Sequence, residues 1–162
     1  MCKISYNLRT VMKTKNKREP FKIENRKAKH EYAILQSFDC GIILKGSEIK
    51  SIRKGDVNIS SAYCYLSNGQ VIIKGMHISE WKDSVTPHDP LRDRVLLLKK
   101  SEIEKIAKEV KTAGITLIPT LLYEKRNKAK MIIGLAKGKK LWDKRESIKK
   151  RDVERDLRRK DF

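Results

Sequence analysis

Residues 62–74 read Ala62-Tyr63-Cys64-Tyr65-Leu66-Ser67-Asn68-Gly69-Gln70-Val71-Ile72-Ile73-Lys74. Two runs rich in aromatic and β-branched residues flank an Asn-Gly pair. Asn and Gly both tolerate the positive φ that a two-residue hairpin turn demands, so the stretch predicts an antiparallel hairpin. Upstream, His30 to Leu35 leads into Phe38 and then into Gly41-Ile42-Ile43-Leu44, before a turn at Lys45-Gly46-Ser47. Glu48 to Arg53 sets Ile49 and Ile52 among charged partners and reads as a further strand, its spacing of three absorbed by a bulge or bend. Lys54-Gly55-Asp56 is turn chemistry.

Downstream, Met76, Ile78 and Trp81 extend the second strand of the hairpin or its exit. Residues 82–94 carry two prolines and many polar groups and read as a loop; Val95 to Leu98 is a short buried run. One segment is helical. Ser101 and Glu104 fit a capping box, Ile103, Ile106, Ala107 and Val110 share a face, and Gly114 stops the run. Ile115–Ile118 and Leu121–Tyr123 are separated by Pro119, which predicts an edge or a bulge. A polar turn over Lys125–Lys128 joins them to Ala129–Ala136. About six strands and one main helix, joined by short links, predict a mainly β fold: a small closed antiparallel barrel rather than a parallel sheet.

Charge divides the chain differently. The 162 residues hold 39 Lys+Arg against 20 Asp+Glu, a net charge of +19. Residues 1–30 contribute +8, residues 31–136 contribute +5 and residues 137–162 contribute +6, so most of the excess sits on the flanks. The apolar residues concentrate in the middle, which is rich enough to bury a core. Three units are therefore expected: a basic arm over 1–24 without sustained period, a barrel over 25–136, and a basic tail over 137–162. In the tail, Glu146–Lys150, Glu154–Arg158 and Asp156–Lys160 lie at i,i+4, each worth only about 0.2–0.5 kcal/mol. Isolated helices of that length are marginal in water, so the tail is expected to be disordered when free and helical on a partner.

The same composition removes several classes. The sequence has no apolar run long enough for a membrane helix, and the basic N-terminus never reaches the apolar core of a secretory signal. Cys2, Cys40 and Cys64 are odd in number and widely spaced, which argues against a disulfide framework or a zinc site and for a reducing, cytoplasmic setting. None of His30, His77 and His88 has metal-ligand spacing, and no phosphate-loop or nucleophile-elbow motif occurs, so neither a metal nor a cofactor is expected. His88-Asp89 is the one pair that could serve a small basic ribonuclease, although an Asp-Pro turn explains the same residues.

A polyanion fits the charge better, and nucleic acid is the commonest such partner. Lys50, Arg53, Lys74, Arg92, Arg94, Lys130 and Lys137 alternate with apolar residues on the expected strands, which would set cations on one outer face. An ordinary solvated face is the plainer explanation for any single lysine, but such a face carries both signs. Tyr63, Tyr65 and Tyr123 could stack bases or simply fill the core. A generic OB-fold RNA binder remains the rival of the same type.

Three blocks resemble the SsrA-binding protein (small protein B) family: Asn25-Arg26-Lys27-Ala28-Lys29-His30-Glu31-Tyr32, Gly46-Ser47-Glu48-Ile49-Lys50-Ser51-Ile52-Arg53-Lys54-Gly55, and Gly134-Leu135-Ala136-Lys137-Gly138-Lys139-Lys140. Met76-His77-Ile78, Asp89-Pro90-Leu91-Arg92 and Asp143-Lys144-Arg145 extend the likeness in the right order, from Asn25 to Phe162. The resemblance implies an OB-like barrel and a non-enzymatic partner of transfer-messenger RNA (tmRNA) in bacterial ribosome rescue. Its implied partners are the tRNA-like domain of tmRNA, small-subunit ribosomal RNA and the stalled 70S ribosome, with no membrane contact and a monomeric protein.

By motif, the resemblance assigns RNA contact to Asn25, Asp39, Leu97 and Lys130, with Arg26, Lys27, His30, Glu48, Lys50 and Arg53 in the same blocks. The family's acidic-small-Gly pattern, usually Glu-Ala-Gly, stands here as Asp39-Cys40-Gly41. Lys137, Gly138, Lys139, Lys140, Asp143, Lys144 and Arg145 match the segment that links barrel to tail. Trp142 takes a place often held by Tyr or His, where a planar ring would stack on a base of the decoding centre. Lys149, Lys150 and Arg151 would follow the empty mRNA channel.

Overall fold

A computed structural model describes residues 20–81 and 87–140. Along the chain come β1 (Lys22–Glu24), α1 (Arg26–Glu31), β2 (Tyr32–Ile42), α2 (Gly46–Lys54), β3 (Val57–Asn58), β4 (Tyr63–Ser67), β5 (Gln70–Lys74), β6 (His77–Ile78), β7 (Arg94–Leu97), α3 (Lys100–Val110), β8 (Ile115–Lys125) and β9 (Lys128–Gly138). Strands β8, β4, β5, β7, β2 and β9 follow one another, and β9 pairs back onto β8. The result is a ring of six strands, all antiparallel, the closed mainly β barrel that the strand count predicts. Strand β1 adds to the outside of β8, and β3 with β6 forms a separate two-stranded ribbon.

The hairpin that decides the fold forms as read: Ser67 pairs with Gln70 across Asn68 (φ 49°) and Gly69 (φ 72°). A second two-residue turn closes β8–β9, where Arg126 (φ 51°) and Asn127 (φ 60°) lie between the paired Lys125 and Lys128. Pro119 marks a register shift against β9, as its missing N–H predicts. It sits inside one continuous strand rather than between two. Inward side chains of the ring, among them Cys40, Val71, Ile73, Leu122, Met131 and Ile133, are sealed from solvent, and Ile106 of α3 packs into the same core.

Four local expectations give way. Glu48–Arg53 is helix, not strand. Its spacing of three between Ile49 and Ile52 is one helical turn, and Glu48, Ser51 and Ile52 form the buried face. The Lys45 backbone N–H donates to Glu48 Oε2 at 2.6 Å to start the helix, and Gly55 at φ 93° ends it. Among the described residues the fold thus carries two substantial helices besides the short α1. In α3, Glu102 rather than Glu104 caps the start, accepting from the Lys99 N–H at 2.9 Å. Ordered strand begins at Lys22, three residues ahead of Asn25, because Ile23 packs on the core while its neighbours stay exposed. β9 runs two residues past Ala136, pairing Gly138 with Tyr32.

Candidate nucleic-acid interface

Barrel curvature brings three strands together on one outer patch. Asp39 of β2 and Lys130 of β9 meet diagonally, carboxylate to ammonium at 3.6 Å, with both side chains over a third exposed. Tyr123 of β8 lies directly across from Lys130, with its phenol under the influence of the Asp39 carboxylate. Burial first, then the Asp39 carboxylate, hold the Tyr123 phenol above its ordinary pKa. Leu97 of β7 is 56% exposed and sits against Gly41, where a Cβ would come within 3.3 Å of the Leu97 side chain. The absence of a side chain at Gly41 lets Leu97 lie flat on the sheet. Asp39, Leu97 and Lys130, far apart in sequence, therefore share one neighbourhood.

Helix α2 forms the next wall. Lys50 and Arg53 are exposed on it, and Lys50 Nζ stands 5.9 Å from the centre of the Trp81 ring. Arg53 reaches across to the β8–β9 turn, donating to Glu124 Oε1 at 2.8 Å and to the Asn127 carbonyl at 3.4 Å. It acts as a strap between helix and hairpin. A groove of about 350 Å³ runs between them, with Ile49 and Lys45 on one side and Lys128, Ala129 and Lys130 on the other. Lys125 and Arg126 continue the cationic rim around the turn.

The third group surrounds α1. Arg26 and Lys27 are exposed, and His30 is half-buried. Asn25 is buried: its Nδ2 donates to the Ile59 carbonyl at 3.0 Å and the Pro119 carbonyl at 2.9 Å, while Oδ1 accepts the Ala28 N–H at 2.9 Å. All its polar atoms are used in holding α1 where β4 and β8 meet through a single residue pair. Asn25 therefore presents Arg26 and Lys27 rather than offering its own amide. At the far end of α1, the Lys139 N–H donates to the Glu31 carbonyl at 2.9 Å, and Lys139 Nζ donates to the Lys29 carbonyl at 3.2 Å. Lys137, Gly138 and Lys140 are exposed beside it. Trp142, Asp143, Lys144, Arg145, Lys149, Lys150 and Arg151 lie outside the described residues, as do both halves of each i,i+4 pair in the tail.

Two of the sequence's candidate cations and its one acid in α2 lie elsewhere. Arg94 is not on the outer face: it is fully buried, and so is Glu48. Glu48 Oε1 accepts from Arg92 Nε at 2.7 Å and Arg94 Nε at 2.9 Å, and Oε2 accepts from Arg92 Nη2 at 2.6 Å. The remaining Arg94 donors go to the Met76, Pro90 and Arg92 carbonyls. Burial pushes the Glu48 carboxyl up, but the Arg92 bond, the Lys45 N–H and the two arginine charges outweigh it and hold the group below its ordinary pKa. This ion cluster fixes α2 to the barrel. Lys74 alone of the remaining candidates lies apart from these groups, exposed opposite Tyr63.

His88 is also inside. Its Nδ1 pairs with Ser47 Oγ at 2.9 Å and its Nε2 with the Ile78 carbonyl at 3.3 Å, while Asp89 caps the Leu91 N–H at 2.9 Å. The pair is a bridge and a turn, not a base oriented by a carboxylate. Among the described residues no group of three His, Cys, Asp or Glu could hold a metal ion. Burial raises the Cys40 thiol to about 12 and shifts Cys64 in the same direction. No described helix is long and apolar enough to cross a membrane.

With this geometry in place, the likenesses to known proteins are specific. The family model described as "SmpB protein" matches residues 22–161. The SsrA-binding protein of Caldicellulosiruptor saccharolyticus is 48% identical over 152 residues, covering 92% of this chain and 96% of that one. The SsrA-binding protein of Enterococcus faecalis is 45% identical over 137 residues, covering 84% and 89%. A solved structure described as "tmRNA-SmpB: a journey to the center of the bacterial ribosome" superposes with a TM-score of 0.63 at 38% identity, covering 74% of this chain and 85% of that one.

Proposed function

The chain belongs to the SmpB protein family, and on that premise we propose that it binds tmRNA at the tRNA-like domain and delivers it to stalled ribosomes for trans-translation. The protein stands where a tRNA anticodon stem would be. It is a binding partner and not an enzyme. The observation that carries this reading is the outer patch of Asp39, Leu97 and Lys130, continuous with the cationic groove walled by α2 and the β8–β9 turn. A rigid ring presents these groups at fixed spacing, which suits recognition of a folded RNA by shape and backbone rather than through a duplex major groove. Arg26 and Lys27 supply a second cationic site on α1. Lys137, Gly138, Lys139 and Lys140 lead into the tail, whose Trp142, Asp143, Lys144, Arg145, Lys149, Lys150 and Arg151 are assigned to the decoding centre and the empty mRNA channel.

A generic basic binder would treat all structured RNA alike. Filter binding of the full chain to tmRNA and to bulk tRNA across a salt series separates the two. An advantage of at least tenfold for tmRNA at every ionic strength is expected, and equal affinities would overturn the assignment. The ribonuclease alternative requires an accessible base, and the buried His88 bridge does not supply one.

A further inference from the structure

A second cavity, of about 460 Å³, lies between α1, the start of β8 and the residues that lead into β4. Its apolar lining is Ala28, Tyr32, Ala62, Tyr63 and Ile118, to which Ser60, Ser61 and Thr116 add hydroxyls. Asn25 makes it pre-formed. That one side chain ties the start of α1 to the Ile59 carbonyl, just ahead of Ser60, and to the Pro119 carbonyl, just past Ile118. Tyr63 is nonetheless 46% exposed. The chain leaves the barrel beside this cavity: Gly138 pairs with Tyr32, and the Lys139 N–H donates to the Glu31 carbonyl. Glu31 and Tyr32 both belong to the lining. Trp142 follows three residues later, within about 10 Å of Lys139 for an extended chain. From Lys139 onward the aromatic residues are Trp142 and Phe162, and Trp142 alone is near enough in sequence for loop closure to cost little chain entropy.

We propose that in the free protein the Trp142 indole folds back and fills this cavity, against Tyr63 and Ile118. An indole suits the lining. Its rings meet Tyr63 and Tyr32, and offset or edge-to-face aromatic pairs stabilise beyond the area they bury. Its N–H needs a partner once buried, and Ser60, Ser61 and Thr116 provide hydroxyl acceptors. Lys27, also in the lining, brings an ammonium to the ring face. The Lys139 bonds to α1 hold the connecting residues at the cavity, so closure is intramolecular and needs only a modest affinity. The proposed function sends this same ring to the decoding centre. On that reading the cavity is its resting place, and delivery requires it to leave.

The test uses the full chain without RNA. Its two tryptophans are Trp81 and Trp142, so Trp81→Phe leaves Trp142 as the sole reporter. That protein is expected to emit at shorter wavelength than the same chain in denaturant, and acrylamide is expected to quench it about fivefold less. Two further changes attack the cavity by different routes: Tyr63→Ser removes an aromatic wall, and Ser60→Arg fills the space. Both positions are exposed, so the fold tolerates both, and matching circular dichroism spectra check this. In each, quenching is expected to rise to the value of the denatured chain. Denatured-like quenching in the parent would overturn the inference, and so would protection that survives both changes. Protection that fades on dilution would seat the ring on a second copy of the chain and overturn it as well. Binding to tmRNA is read separately by filter binding, so none of these failures is a failure of the tmRNA assignment.

Discussion

Glu48 and Arg94 lie 2.9 Å apart with neither side chain exposed to solvent, and they join a surface helix to the inside of a β-barrel. Removing the acid while keeping its shape leaves two guanidinium groups without a counter-charge. Glu48→Gln is expected to destabilise the protein by about 3–5 kcal/mol, read by denaturant unfolding. Because the Glu48 carboxyl ionises below its ordinary value of 4.5 in the folded state, its stabilisation is complete above that pH and is lost as pH falls through the folded value. The wild type should therefore lose stability on acidification below about pH 4.5 more steeply than the variant. Parallel slopes would show that the carboxylate carries no such role.

Lys130 is partly exposed beside Asp39, and the proposed function gives its ammonium an RNA phosphate to meet. Lys130→Ala should weaken tmRNA binding and lower the slope of log affinity against log salt by about 0.7–0.9, the value for one released counterion. An unchanged slope would mean that the ammonium serves only Asp39. Asp39→Asn keeps the side chain's shape while removing the charge beside Lys130, and is expected to cost less affinity than Lys130→Ala.

Asn25 holds two carbonyls and a helix N-cap at once. Asn25→Ala strands the Ile59 and Pro119 oxygens and is expected to cost about 1–3 kcal/mol by thermal unfolding. Affinity for RNA should fall together with the fraction folded. A fully stable variant with lost affinity would instead place the amide on the RNA.

Ending the chain after Lys140 keeps every described contact, including the Lys139 bonds to α1. Such a protein is expected to bind tmRNA within about threefold of the full chain, since at 1.4 kcal/mol per decade that is a small energy. Peptide tagging on stalled ribosomes should be lost. Retained tagging would remove residues 141–162 from the mechanism.

His88→Ala should leave Ser47 Oγ and the Ile78 carbonyl without their partner, costing about 1–3 kcal/mol. RNA incubated with either protein, with and without divalent metal, is expected to stay intact. Cleavage by the wild type that disappears in the variant would revive the ribonuclease alternative.

Much of this molecule is legible where local chemistry and tertiary structure agree. Asn68-Gly69 demands positive φ, the β-rich runs on either side supply the strands, and Pro119 interrupts a ladder that its ring nitrogen cannot join. Glu48–Arg53 misleads because its buried face is a carboxylate, a serine and one isoleucine, Glu48, Ser51 and Ile52, rather than an apolar stripe. Arg92 and Arg94, over forty residues away, are what make Glu48 a core residue, and no local pattern carries that information. Lys45, Glu48 and Gly55 were the readable signals: a carboxylate three residues past the cap, and a glycine stop. The groove was invisible for the same reason, since one of its walls is that helix. Asn25 likewise counts as a surface amide until Ile59 and Pro119 are brought to it.

One consequence belongs to mechanics. Strand β9 is paired on both flanks, with β2 from Tyr32 to Gly41 and with β8 from Ile115 to Lys125, and the chain leaves it at Lys139. A pull on the C-terminal side is directed along that strand, so it loads both ladders in shear and not one bond at a time. Whatever tugs on the end of this chain must slide a whole stave out of the cask, which makes the barrel a sound anchor for a tethered load.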